Sequence, residues 1–314
     1  MHFLTFNFKI SMNQQSKILI WIGAFRLFSL MVSSAGIIMG TLIAASFGYF
    51  QWSVFIFTLL TTWSLHLLCN VSNDYGDAVR NTDVEHDFGD IRYVQDGLLS
   101  LKEVKNMCYI LGALSVIFGS LMIFSALGFS ITVTHIIFFS LGIFAIYGAV
   151  AYTNGKKPYG YISLGDLSVF VFFGLATVSG AYFLQTQAFD FTILLPAAAM
   201  GMPIVGLLNN NNIRDIEADP RSGKITVAYN LGLKKARIYQ FILFSLLFIL
   251  SSVYVILHYK SLWQWLFLIT LIPFVMYLKA FSKAKTPQEY NQLMGLISIS
   301  TLLFGILYGI GFLI

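Results

Sequence analysis

Long, uninterrupted apolar runs separated by brief polar connections dominate the chain from Ile18 onward. A membrane-spanning helix needs about 20 predominantly apolar residues. Nine runs approach or reach that length, at roughly 19–47, 52–72, 106–127, 131–152, 164–186, 191–210, 236–257, 262–281 and 291–313. Lipid cannot hydrogen-bond to the backbone, so spanning segments are helices or closed barrels. Continuous apolar runs lack the alternation of a barrel strand. The pattern therefore predicts an all-α membrane protein of about nine transmembrane helices, one integral membrane domain over residues 1–314. The first run is long enough to tilt or bend. It carries no cleavage pattern of a secretory leader and is expected to be a retained helix after an N-terminal segment, residues 1–18. Met12 is an alternative initiator within that segment.

Composition agrees with the pattern. The chain is 57% hydrophobic and 11% charged, with mean hydropathy +0.77, whereas a soluble domain carries about 25% charged residues. The connections fall into two sets. Those around 47–52, 127–131, 186–191 and 258–262 are short and poor in charge; the others are longer. Of the nineteen Lys and Arg residues, only Lys260 lies on the short-loop face. The positive-inside rule then puts the long loops and the N-terminus in the cytoplasm, with the chain in the cell (inner) membrane. The net charge of +5 is accounted for by this orientation and calls for no nucleic-acid partner. Cys69 and Cys108 have no metal-type spacing and are expected to be packing residues.

Chemistry concentrates in two polar clusters on the long-loop face. At the end of the second run stand Asn70, Asn73, Asp74 and Asp77, then Arg80, Asp83, His86 and Arg92. Positions i, i+3, i+4 and i+7 share a helix face, so the first four project together. Neighbouring carboxylates repel unless a cation or proton lies between them. Hard oxygen donors of this kind suit Mg²⁺, which keeps waters and bridges to substrate phosphate. At the end of the sixth run stand Asn211, Arg214, Asp215, Asp219, Arg221 and Lys224. The spacing of Asn211, Asp215 and Asp219 again predicts one helical face, and cations beside acids suit a metal–diphosphate. Each cluster has an Asn four residues before an Asp, with another Asp soon after. Four helices separate them, as a duplicated four-helix unit requires.

A single charged loop is ordinarily a solvated face or an ion-pair network. Two such clusters at helix ends on one face of an apolar bundle point to a site. A third segment on that face, Tyr152 to Gly160 with Gly165 and Asp166, offers Tyr152 and Lys156 to a phosphate, although its lysines also read as flanking charge. Asp166 enters an apolar helix and requires a polar partner. His66 and His135 lie in apolar runs with no second ligand at helical spacing, and each is expected to be a hydrogen-bonded core or interface residue.

At these clusters the chain resembles the UbiA superfamily of intramembrane prenyltransferases. The first is similar to that family's NDxxDxxxD-type motif and the second to its DxxxD motif. The likeness is greatest to the branch that prenylates 1,4-dihydroxy-2-naphthoate. It is carried by Asn73-Asp74-Tyr75-Gly76-Asp77, Asp83, Arg92 and Gln95 to Ser100, by Tyr152-Thr153, Gly155, Pro158, Gly160-Tyr161 and Gly165-Asp166, and by Asn211, Arg214, Asp215, Asp219, Gly223, Lys224 and Thr226. It runs to about Gly232. Two departures stand out: Asn81 occupies a position where the branch has glycine, and Asp87 and Asp90 put acids where bases are usual.

The resemblance implies a UbiA-type helix bundle in the lipid bilayer and a Mg²⁺-dependent transfer from a polyprenyl diphosphate to an aromatic acceptor, dihydroxynaphthoate. It implies Asn70, Asn73, Asp74, Asp77, Asp83, Asn211, Asp215 and Asp219 as metal ligands, with Asp74, Asp77, Asp215 and Asp219 the catalytic core. Arg80, Arg92, Lys156, Arg214, Lys224 and Tyr152 would receive the diphosphate. Hydroxybenzoate, haem, a chlorophyll precursor and a glycerol phosphate lipid stay open as other acceptors, and a scaffold or transporter as another class. Transporter sites lie near the bilayer midplane on broken helices, whereas these acids sit at helix ends.

Overall fold

The computed structural model describes residues 16–80 and 93–314. Among the described residues nine helices are long and apolar enough to cross a membrane: α1 Lys17–Ala45, α2 Trp52–Arg80, α3 Leu101–Leu127, α4 Val133–Ala151, α5 Gly165–Thr186, α6 Phe191–Arg214, α7 Val227–Leu257, α8 Leu262–Lys283 and α9 Pro287–Leu313. The expected nine spans are all present. Three differences bear on the site. Helix α2 runs to Arg80, so its whole polar stretch from Asn70 is helical. The α7 span opens with a short helical piece at Val227, capped by Thr226 accepting from the Tyr229 amide, and breaks at Gly232 (φ 72°, ψ 156°) before its main helix runs on to Leu257. Helix α1 is interrupted: one α-helical piece ends at Ala24, a 3₁₀ turn spans Leu27–Ser29, and the α-helix resumes at Leu30.

That interruption has a specific chemistry. Arg26 takes left-handed backbone angles, φ 51° and ψ 50°, a conformation that costs a non-glycine residue about 1–2 kcal/mol. The carbonyl of Phe25 is satisfied from another helix: Asn70 Nδ2 donates to it at 3.1 Å and to Ser29 Oγ at 3.0 Å. The polar end of α2 thus fixes where α1 bends.

Helices α1, α6 and α9 are the most buried spans, and α4 is the most exposed. The motif-bearing helices α2 and α6 pack most extensively on the helices that follow them, α3 and α7, the pairing a repeated unit requires. Without a hydrophobic drive between helices in lipid, close approach at small residues and interhelical hydrogen bonds hold the bundle. Gly174 of α5 lies against Gly201 of α6, where an added Cβ would fall 2.6 Å from the Gly201 Cα. Buried Gln240 of α7 ties three helices together, donating to Gly206 O at 2.9 Å and to Tyr277 Oη at 2.8 Å while accepting from Asn209 at 2.6 Å.

Helix α5 is not uniform. Its Phe170–Ala176 stretch is π-helical, a form concentrated at functional sites.

The glycine contact gives a direct test. Gly174→Ala should destabilise the detergent-solubilised protein by about 1–3 kcal/mol through backbone overpacking. Gly180→Ala on the same helix, where a Cβ meets nothing within 4 Å, should be neutral or stabilising by up to about 1 kcal/mol. Thermal unfolding of the two variants beside the wild type checks this, and equal behaviour would refute the packing argument.

Candidate active site

One wall of the site is the last three turns of α2. Asp74 pairs with Arg26, the residue at the α1 break. Asp77 accepts a hydrogen bond from the Tyr161 hydroxyl at 2.6 Å. Arg80 donates to the Gly155 carbonyl and lies over the Tyr161 ring, 5.3 Å from its centroid. Asn73 accepts from Thr153 Oγ1 at 3.1 Å, and Asn154 Nδ2 donates to Ser72 O at 2.9 Å. The connection between α4 and α5 is therefore fastened along the polar end of α2. Gly76 makes the fit possible, because a Cβ there would stand 2.8 Å from Thr153 Oγ1 and 2.9 Å from Thr153 O.

The second wall is the end of α6 and the loop beyond it. The expectation of one continuous helical face over Asn211, Asp215 and Asp219 is corrected here. Helix α6 ends at Arg214, Asp215 is its C-terminal cap, and Asp219 opens a separate 3₁₀ turn, Asp219–Ser222, with Pro220 next. The turn still brings Asp219 back, since its amide bonds to Asp215 O at 2.9 Å. Arg214 grips Asp215 with two parallel bonds, Nε to Oδ1 at 2.8 Å and Nη2 to Oδ2 at 2.7 Å, and donates to Asn291 of α9 at 3.0 Å. Lys224 Nζ lies 3.1 Å from Asp219 Oδ2. Both aspartates are buried.

The two walls face each other. Burial pulls the Lys224 ammonium down, but Asp219, Asp215 and Asp77 together outweigh it and hold it above its ordinary value; Lys224 thus feels carboxylates from both clusters. Arg26 likewise lies within the fields of Asp74, Asp77 and Arg214. The loops are joined by backbone: Ile162 and Ile225 form a parallel bridge, and Ser163 N donates to Ile225 O at 2.9 Å. Among the described residues no three His, Cys, Asp or Glu side chains converge as a ready-made metal cage. The four aspartates instead line two sides of one polar end, each matched to a cation or a hydroxyl.

The remaining candidates fall as follows. Asn70 spends its Nδ2 on the α1 break. Asn211 is half-buried at the end of α6, and Lys156 is exposed on the α4–α5 connection. Tyr152 packs against Gly160 and Gly165, and burial raises its phenol well above the ordinary range, while burial of Tyr159 pushes that phenol up to about 12. Asp83, His86 and Arg92, with Asn81, Asp87 and Asp90, lie outside the described residues. Asp166 has the Tyr239 phenol close by, and its buried Oδ2 meets no hydrogen-bond donor among the described residues. Arg26 and Tyr161, the direct partners of Asp74 and Asp77, were not among the expected site residues: Arg26 reads as flanking charge, and Tyr161 enters only as part of the motif that carries the resemblance, with no role assigned. Only the proline–glycine–tyrosine turn ahead of Asp166 signals the latter.

Comparison with known proteins places this geometry. A family model, the UbiA prenyltransferase family, matches residues 33–310. The chain is 37% identical to a 1,4-dihydroxy-2-naphthoate octaprenyltransferase of Haemophilus influenzae, covering 84% of this chain and 85% of that one. It is 36% identical to the Escherichia coli protein of the same name, covering 82% of each. Its fold matches the apo structure of a UbiA homolog from Aeropyrum pernix K1 with TM-score 0.65 at 15% identity, over 90% of this chain and 96% of that one. A UbiA homolog from Archaeoglobus fulgidus bound to GPP and Mg²⁺ matches with TM-score 0.62 at 16% identity, over 95% of this chain and 99% of that one.

Gly76→Val should lever the α4–α5 connection away from α2. Hydrogen–deuterium exchange should then rise across residues 152–162 and stay unchanged at the opposite end of the bundle, across residues 186–194. Unchanged exchange in the first segment would contradict the close fit at Gly76.

Proposed function

The chain belongs to the UbiA prenyltransferase family, and on that premise we propose that it moves a polyprenyl group from polyprenyl diphosphate onto 1,4-dihydroxy-2-naphthoate, releasing diphosphate and carbon dioxide. The observation that carries the reading is the pair of facing acid–base clusters, in a chain more than a third identical to dihydroxynaphthoate octaprenyltransferases over most of its length.

Asp74, Asp77, Asp215 and Asp219, with the amide oxygens of Asn70, Asn73 and Asn211, make a donor set composed of oxygen alone, which fits Mg²⁺. Asp83 of the same motif joins this set in the proposal. When bound, Mg²⁺ supplies charge neutralisation to the diphosphate and its developing negative charge. The absence of a closed cage among the described residues suits an ion that keeps waters and takes part of its coordination from substrate phosphate. Lys224 and Arg80 are the cations best set to receive the leaving diphosphate, with Tyr152, Lys156, Arg92 and Arg214 around them. Fixed charges of this kind stabilise the separating ion pair without rearranging.

The chemistry balances without an added base. The ring carbon bearing the carboxylate attacks the allylic carbon of the prenyl group, and the carbon–oxygen bond to diphosphate breaks with its electrons. The bond to the carboxylate then breaks, its electron pair restores the aromatic ring, and carbon dioxide departs. The apolar helices around the site exclude water that would capture an allylic cation and leave room in lipid for the tail. The long basic connections support a cytoplasmic position for this end of the bundle.

The reading is tested with purified protein in nanodiscs, Mg²⁺, polyprenyl diphosphate and dihydroxynaphthoate. Mass spectrometry should find the prenylated, decarboxylated product, and EDTA should abolish it. Asp74→Asn and Asp215→Asn should each lower turnover about 10²–10³-fold or more, the size of loss seen when one group stabilising transition-state charge is removed, with membrane insertion intact. Wild-type rates in either variant would sink the site assignment; prenylation of a different aromatic would replace the acceptor and keep the reaction class.

A further inference from the structure

His66 lies on α2 four residues before Asn70, one helical turn and about 6 Å deeper into the bundle. It shares its stripe with Asn70, Asn73 and Asp77. The neighbouring turns of that stripe are committed to α1. Trp63 Nε1 donates to Ser34 Oγ at 2.9 Å on one side of His66, and Asn70 bonds to Phe25 and Ser29 on the other. Between them, His66 is only 9% exposed and its Nδ1 has no hydrogen-bond partner among the described residues. His135 shows what the same residue type does when its role is structural. Its Nδ1 meets Thr132 Oγ1 at 2.9 Å and its Nε2 meets Gly128 O at 3.0 Å. A polar ring placed in an apolar span with a nitrogen left unmatched is expensive and marks a site. Across from His66 stands Phe173, ring centroids 4.9 Å apart and planes at 69°, on the π-helical stretch of α5.

Resting on the function proposed above, we propose that His66 anchors the acceptor: the unmatched imidazole nitrogen accepts a hydrogen bond from one of the two ring hydroxyls, with Phe173 beside the ring. Elimination among the parts of the two substrates points the same way. An isoprenoid tail has no hydrogen-bonding group and would leave the nitrogen unmatched. The diphosphate is drawn by the charges about two to four turns nearer the helix end, Asp74, Asp77 and Arg80. A ring hydroxyl is the donor whose depth and chemistry fit. The hydrogen bond draws the hydroxyl proton toward the imidazole without removing it, which enriches the ring as it attacks, and the departing carboxylate still supplies the electrons that restore aromaticity. His66 therefore orients and activates the ring, and no proton changes owner.

Steady-state kinetics with each substrate varied in turn decide the matter. His66→Leu should raise the acceptor KM about tenfold or more, the loss expected for one buried hydrogen bond, and leave the KM for polyprenyl diphosphate unchanged. His66→Asn, whose Oδ1 can stand near the Nδ1 position, should recover most of the loss. In the wild type, one of the two naphthoate analogues with a single hydroxyl replaced by hydrogen should bind about tenfold more weakly as an inhibitor, and in His66→Leu that difference should vanish. An unchanged acceptor KM in His66→Leu, equal losses for both substrates, or parent-like binding of both analogues to the wild type would overturn the assignment. Should His66→Leu fail to fold, the analogue series on the wild type and on His66→Asn carries the decision. A wild-type protein that forms no product from dihydroxynaphthoate would remove the underlying function instead, so the two failures are separable.

Discussion

A carboxylate at the end of an apolar helix bundle has to be matched, because a charge left alone there shifts its protonation or destabilises the fold. Much of the irregular geometry here answers that demand. Asp74 is met by Arg26, Asp77 by Tyr161, Asp215 by Arg214 and Asp219 by Lys224. The break in α1 delivers the first partner, and the bridged connections after α4 and α6 deliver the second and fourth. Individually such contacts contribute little where a side chain is half exposed, as that of Arg26 is. Their value lies in holding four acids in a shared space without collapse of the polar end.

The arrangement also gathers the polar groups at one end of the bundle. Helices α2 and α6 each bring a polar terminus to the same end, and the α4–α5 connection, fastened along α2, is tied to the α6–α7 connection by the Ile162–Ile225 bridge and to α7 by Asn230 donating to Ser163. The buried helices α1, α6 and α9 form the rigid backing, with Arg214 reaching Asn291 of α9. The site is therefore built on helix ends and braced loops, which position side chains more tightly than loops alone would.

Much of this was legible in the chain. Apolar runs of spanning length are a strong signal because lipid leaves the backbone few options, and all nine appear as expected. The acids also stood out, since Asp and Asn are rare within helical reach of such runs. What escaped was partnership and termination. Arg26 lies inside an apolar run with no local clue that the backbone turns left-handed there; the cause, Asn70, is 44 positions away in the chain. The end of α6 at Arg214 escaped because a regular four-residue spacing of acids mimics a helix face, whereas Asp215 caps the helix and Pro220 starts a new turn. In the sequence His66 reads like His135, as a satisfied histidine in an apolar run, and only the packing around each ring distinguishes a matched imidazole from an unmatched one.

The ion pairs have a consequence for how the chain is made. A membrane protein leaves the ribosome from its N-terminus and enters the bilayer segment by segment. Arg26 emerges before Asp74, Arg214 immediately precedes Asp215, and Lys224 follows Asp219 by five positions. Three of the four acids thus reach the translocating machinery with a counter-charge already synthesised or about to appear. The α6 acids therefore have their counter-charges within five positions along the chain, so each can be matched before the late helices α7 to α9 exist to close the bundle around it.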